Sequence, residues 1–181
     1  RMVGLEIPIT VCRHKINFVA WPEDAVRPHP LVYDFVTNIY TRPETGGLIL
    51  VGLLDSDELH DRADPDGYQE GVSFDETLDA LSRIAHRFPI LERGTVAKGY
   101  AGCFDVTPDW HPILDKAGPE GFYIAVGFSG HGFKLSPAVG AMMAELITEG
   151  PREGSDVQAF RLSRFAEGKP IRGTYGDSLM C

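Results

Sequence analysis

This 181-residue chain is short of cysteine, of basic charge and of long apolar runs. Its three cysteines, Cys12, Cys103 and Cys181, are isolated and odd in number. A disulfide framework or a cysteine-rich zinc site needs paired, spaced thiols, so neither is expected, and a reducing, cytoplasmic compartment fits best. Lys and Arg number 17 against 26 Asp and Glu, a formal net charge of −9 with a pI near 5.1. A phosphate-binding surface needs clustered cations, which argues against nucleic acid as a partner. The longest apolar run, residues 48 to 54, falls far short of the ~20 residues that span a bilayer, so no membrane segment is expected. Neither a G-x-S-x-G elbow nor a Walker loop is present. His14, His29, His60, His86 and His111 have no metal-ligand spacing and read as structural or surface residues. Asp109 and His111 in "TPDWHP" read as a turn rather than a catalytic pair.

The apolar fraction, 43%, is that of an ordinary globular protein. Residues 7 to 21 alternate like a strand, and "PEDAVRPHP" reads as a loop. Residues 31 to 42 and 47 to 54 read as two strands joined at "PETGG". Residues 55 to 72 form a polar, acidic loop. "SFDETLDALSRIAHRF" predicts a helix with Ser73 as N-cap, Glu76 completing a capping box, and Pro89 ending it. Residues 95 to 106 predict a strand broken at Gly99 and Gly102, and 123 to 126 a further strand. A second helix is predicted from Ser136 as cap and Pro137 at its first position, to a stop at Gly150 and Pro151. A short helix follows in "SDVQAFRLSRF". Strands that pair first, with a strand–turn–helix unit last, make the class α+β. Arg1 ahead of Met2 suggests a piece of a longer protein.

The segment "YIAVGFSGHGFKLSPAVGAMMAELITEG", residues 123 to 150, poses the functional question. Three glycines, a histidine and a lysine stand between a buried strand and a helix. A helix N-terminus carries free N–H groups and about half a positive charge, and glycines let a ligand approach the backbone. Lys134 would add a full charge that could grip a carboxylate. The alternative stays open that the glycines only make a tight connection, that His131 satisfies local backbone, and that Lys134 is a solvated surface lysine.

"GYAGCFDVTPDWHPIL" followed by "GFYIAVGFSGHGFKLSPAVGAMMAELI" closely resembles the C-terminal part of the D-amino-acid-oxidase-like flavoproteins, on the side of the sarcosine and dimethylglycine oxidases and dehydrogenases. The resemblance runs from residue 5 to about 166. It implies an antiparallel or mixed substrate-domain sheet with packed helices, plus the last strand and helix of a Rossmann-like FAD domain whose N-terminal G-x-G-x-x-G part is absent here. The implied division is 1–98 for substrate binding, 99–150 for the end of that sheet and the strand–loop–helix of the FAD domain, and 151–181 for a C-terminal helix and tail. By the same resemblance Gly127, Phe128, Ser129, Gly130, His131, Gly132, Phe133 and Lys134 lie beside the pyrimidine edge of FAD. The helix end would stabilise negative charge developing there.

Lys134 stands where the family's lysine helps bind the substrate carboxylate, and Tyr40 matches a substrate-site tyrosine. The implied activity is oxidation of the C–N bond of an amino acid or N-methyl amino acid by hydride transfer to flavin. The chain alone is expected to hold FAD poorly, to be inactive without its FAD-binding half, and to self-associate. The other reading is a non-catalytic binding or assembly module that has lost its flavin-binding half. Cys103 falls one residue after the position that tethers FAD in monomeric sarcosine oxidases, predicting no thioether. Leu50 and Leu54 replace that family's oxygen-activating lysine and histidine, which leaves oxidase and dehydrogenase both open.

Overall fold

The computed structural model describes residues 3–25, 29–55 and 61–172. His60 and Cys181 lie outside these residues, as do parts of the two loops expected at 22–30 and 55–72. The chain divides into two compact units, one of Cys12–Cys103 and one that joins residues 3–11 to 104–172. These limits differ from the boundaries expected at 98 and 150. The N-terminal residues belong with the C-terminal part, and residues 104–150 form one unit with 151–172.

The first unit is built on one sheet. Its strands are β1 (Thr10–Ala20), β2 (Val32–Asp34), β3 (Ile39–Glu44), β4 (Leu48–Leu53) and β5 (Thr95–Val106), in the order β2-β3-β4-β1-β5. The β1–β4, β2–β3 and β3–β4 pairs are antiparallel, as an α+β chain with short connections requires. Residues 31 to 42 are two strands rather than one. Asp34 Oδ1 accepts the N–H groups of Val36 and Thr37 at 2.9 and 3.3 Å, and Asn38 takes a left-handed φ of 54°. That side-chain turn reverses the chain where the apolar pattern alone shows no break. Conversely, β5 runs unbroken through Gly99 and Gly102. A Cβ on Gly99 would stand 3.0 Å from Asn17 Oδ1 and 3.1 Å from Val72, so that glycine answers to a close approach rather than to a strand end.

Helix α1 (Phe74–Arg87) begins as the sequence predicts. Ser73 Oγ accepts the Glu76 N–H, and the Glu76 carboxylate accepts the Ser73 N–H at 2.7 Å. Its apolar stripe packs Ala80 and Ile84 on Val19, Trp21, Ile39, Ile49, Val51 and Leu91. Each large aliphatic side chain so buried contributes about 2 kcal/mol. The same Glu76 accepts from Arg13 Nη1 at 2.8 Å, and Arg13 also donates to the carbonyls of Gln69 and Gly71. The Arg13 hydrogen bonds, against some burial, pull the Glu76 carboxyl down to about 2. The opposite sheet face carries Ile16, Phe18, Leu48, Leu50 and Tyr40.

In the second unit β6 (Ile113–Lys116) and β7 (Tyr123–Val126) form an antiparallel hairpin. Helix α2 (Gly132–Glu149) packs Val139, Met142, Met143 and Leu146 against Leu114, Val157 and Phe160. It starts five residues earlier than expected, with His131 as N-cap, so Pro137 is interior rather than first. Proline has no N–H for the carbonyl of Phe133. Ser136 Oγ supplies the donor instead, 2.9 Å from that oxygen. Ser136 is therefore a repair of the helix and not its cap. Gly150 ends the helix with φ 77°. The short helix expected after it is two 3-10 turns, Asp156–Phe160 and Leu162–Arg164. Among the described residues no helix is long and apolar enough to cross a membrane.

Candidate functional site

Eight of the nine sequence-selected residues lie together in the second unit, on the connection from β7 to α2. That connection is held from behind by one carboxylate. Asp105 Oδ2 accepts the N–H of Gly127 at 2.7 Å and of Phe128 at 3.3 Å, while the Asp105 carbonyl accepts the N–H of Ser129 at 3.2 Å. Ser129 is 1% exposed with φ 50°. Its hydroxyl oxygen accepts the Thr107 N–H and donates to the Gly127 carbonyl, each at 3.3 Å.

The glycines are explained by the chain's own packing. A Cβ on Gly127 would lie 2.3 Å from Thr107 Cγ2, and one on Gly130 would lie 2.6 Å from the Phe104 ring. Both have positive φ, 73° and 82°. The tight-connection alternative thus accounts for these two, and the inner half of the loop faces inward, with the Gly127 and Phe128 amides turned to Asp105.

The outer half is open. Leu135 N–H to His131 O, 3.3 Å, is the first intrahelical bond of α2, and the His131 side chain does not cap the helix. The amides of Gly132, Phe133 and Lys134 stand ahead of it, at the positive end of the helix dipole. Phe133 is 98% exposed, and Gly130 and Lys134 are exposed. Desolvation lowers the Lys134 ammonium pKa, although its exposure lets solvent screen the effect. An uncapped row of amides with a lysine in the first turn suits an anionic, acceptor-rich group such as the pyrimidine edge of a flavin. The amides that could meet FAD are those of Gly132, Phe133 and Lys134, since Asp105 takes those of Gly127 and Phe128 and the Phe128 carbonyl takes that of His131 at 2.8 Å.

A second carboxylate supports the loop from the C-terminal side. Asp109, in the turn after β5, pairs with Arg164 through Nε at 2.8 Å and Nη2 at 2.9 Å, with side chains 2% and 0% exposed. Thr107 Oγ1 donates to the His111 carbonyl at 2.8 Å and lies 3.3 Å from Asp109 Oδ1. Burial would raise the Asp109 carboxyl pKa. Hydrogen bonds from Arg164, the Ile171 amide and the His111 amide outweigh it and hold the pKa below the usual carboxylate range. Asp109 is the turn residue the sequence suggests, and it is also the acceptor of a buried ion pair that the sequence does not disclose.

Tyr40 lies in the first unit, on the sheet face away from α1. It stands opposite Gly52 on β4, and Gly52 stands opposite Ile16 on β1. A Cβ at Gly52 would be 2.3 Å from the Tyr40 ring. The missing side chain lets Tyr40 lie across β4 and bring its hydroxyl to 2.8 Å from His14 Nε2 on β1. The two rings are near parallel, 9° apart in plane, and the Tyr33 ring lies 5.9 Å from that of Tyr40, tilted by 31°. Sequence reasoning missed His14, Asp105 and Arg164, each tied to a partner 22 or more positions away. A glycine within the apolar strand "LILVGL" was the one local sign, since an interior strand glycine marks a close approach.

The chain is similar to several flavoproteins. It is 27% identical over 176 residues to FAD-dependent oxidoreductase domain-containing protein 1 of Xenopus laevis, covering 93% of this chain and 34% of that one. It is 26% identical to sarcosine oxidase subunit beta of Rhodobacter capsulatus, covering 94% and 38%. Among solved structures, L-proline dehydrogenase from P. horikoshii superposes with a TM-score of 0.78 at 27% identity, over 94% of this chain and 44% of that chain. The chain therefore spans little more than a third of the length of these curated relatives. A family model described as FAD dependent oxidoreductase matches residues 1–146, and the chain belongs to that family.

Proposed function

We propose that this chain forms the substrate-holding part, and one edge of the flavin site, of an FAD-dependent oxidoreductase acting on the C–N bond of an amino acid or N-methyl amino acid. The observation that carries this reading is the uncapped start of α2, with Lys134 in its first turn, in a chain of the FAD-dependent family. FAD, when bound, supplies the hydride acceptor. The residues here bind and orient. The amides of Gly132, Phe133 and Lys134 and the α2 dipole favour negative charge at the helix end. The Lys134 ammonium holds the substrate carboxylate by a charge-assisted hydrogen bond. Tyr40, by its match to the family's substrate-site tyrosine, is assigned as a phenol that contacts the substrate. Names of relatives that act on sarcosine and proline support a small amino acid as substrate.

The test uses the flavin-loaded protein that contains this chain. Anaerobic mixing with a panel of amino acids and N-methyl amino acids should bleach the flavin with at least one of them. Lys134→Met should weaken that substrate about 10- to 100-fold, the loss of one charge-assisted bond. Flavin affinity should change less than threefold. No bleaching with any substrate, or unchanged substrate affinity in Lys134→Met, refutes the assignment.

A further inference from the structure

We infer that Lys98 holds a second anionic group on the substrate, so that the preferred amino acid carries an acidic side chain or an acidic N-substituent. The inference rests on the function proposed above and names the substrate class of that site. It starts from the ion pairs. The chain has five lysines, Lys15, Lys98, Lys116, Lys134 and Lys169. Lys15 pairs with Asp61 at 2.8 Å, Lys116 with Glu120 at 3.5 Å and Lys169 with Glu167 at 3.8 Å. Among the described residues, Lys98 and Lys134 pair with no carboxylate. Acidic groups outnumber basic ones 26 to 17 in this chain, so a lysine without a carboxylate is the exception. Lys134 is already assigned to one substrate carboxylate, and Lys98 is the ammonium that remains.

The sheet fixes where that ammonium stands. Strand alternation puts Lys98 and Tyr100 on one face of β5 and Gly99 on the other, close to Asn17. Lys98 Nζ lies 5.0 Å from the centre of the Phe18 ring, and the Tyr100 ring stacks on Phe18 at 5.9 Å. The ring holds the cation by its π face, which sets its position without neutralising its charge. Phe18 shares its face of the sheet with Ile16, Leu50 and Tyr40. Arg42, the other cation on that face, is neutralised by Glu44 at 2.8 Å. Lys98 is therefore the uncompensated charge on the face that carries the assigned substrate tyrosine.

The spacing suits a small dianion. The Tyr40 hydroxyl rests at His14 and the Lys98 ammonium at Phe18, four residues apart on β1, or roughly 13 Å at ~3.3 Å per residue. Ile16 lies between them as an apolar floor. Contacts of about 2.8 Å at each end leave roughly 7 Å, the reach from the nitrogen to the far carboxylate of a glutamate-sized molecule. The competing role for Lys98 is a charge that guards an edge strand, since β5 ends the strand order. That role gives Lys98 no influence on the choice of substrate.

The test compares each acid with its own amide in the flavin-loaded protein that contains this chain. Aspartate is set against asparagine and glutamate against glutamine, with their N-methyl forms, in both enantiomers. The readout is the rate of anaerobic flavin bleaching at subsaturating substrate. At least one acid should react tenfold or more faster than its amide in low salt, and the ratio should shrink as salt is added. Lys98→Met should lower that ratio about tenfold, the low end for a charge-assisted contact that solvent partly screens. Lys98→Arg, which keeps the charge, should restore most of it. Lys134→Met, by contrast, should slow acid and amide alike. A parent protein that bleaches without preferring any acid, or a Lys98→Met ratio equal to the parent's, overturns the second anion contact alone. No bleaching by any substrate in the parent overturns the functional reading and this inference with it.

Discussion

Removing Arg164 should unlock the second unit, and the cost follows from its contacts. The guanidinium is 0% exposed and donates to both Asp109 oxygens and to the carbonyls of Phe160, Arg161 and His111, at 2.8 to 3.2 Å. Arg164→Met fills much of the volume but strands a carboxylate that is 2% exposed. Breaking one side of such a buried pair costs about 3–5 kcal/mol. Asp109→Leu should cost a similar amount. The double variant Asp109→Leu with Arg164→Met should be less damaged than the sum by about 2–3 kcal/mol, the coupling of neighbours in one network.

The pH response should also change sign. In the parent, the depressed Asp109 pKa contributes stability that is present above about pH 4 and is lost as pH falls through the folded value. Without Arg164, burial dominates and raises that pKa, so acidification from pH 7 to 5 should stabilise the variant. The assay is urea unfolding followed by Trp110, the only indole left in a Trp21→Phe background. A loss below about 1 kcal/mol, or a variant that keeps the parent's acid response, would refute the reasoning.

Three further outcomes are expected. Gly127→Ala meets both φ 73° and a 2.3 Å approach to Thr107 Cγ2, and should cost about 1–3 kcal/mol; adding Thr107→Ser, which keeps the hydroxyl, should recover part of it in thermal melts. Asp105→Ala frees the amides of Gly127 and Phe128, so their hydrogen exchange should accelerate at least tenfold while α1 amides keep the parent rates. Glu76→Ala loses the Ser73 capping box and the Arg13 bonds and should cost about 1–2 kcal/mol in Trp21-monitored unfolding. In the parent that contribution is present above pH 4.5 and fades as pH falls towards 2.

The legible parts of this molecule are those whose causes are local. Ser73 and Glu76 are three residues apart and announce α1; the apolar stripe then says which face is buried. The start of α2 was misplaced because Pro137 fits a first helical position equally well, and only the Ser136 hydroxyl reveals that the helix runs through it. The break in residues 31 to 42 depended on Asp34 bonding two amides ahead of it, a choice the sequence permits but does not force. For the candidate site, the loop residues were recognised as a group, yet the sequence could not say which amides face outward. That depends on Asp105, 22 positions upstream of Gly127. His14 reads as one scattered histidine until Gly52 is seen to open a path between β3 and β1.

Pro137 has a consequence for motion. It interrupts the helical ladder after one turn, so residues 132 to 136 can fray without melting the apolar-packed turns beyond. Lys134 thus belongs to a first turn tied to the rest of α2 with one backbone rung replaced by the Ser136 hydroxyl, and Ser136→Ala should speed amide exchange in that turn alone.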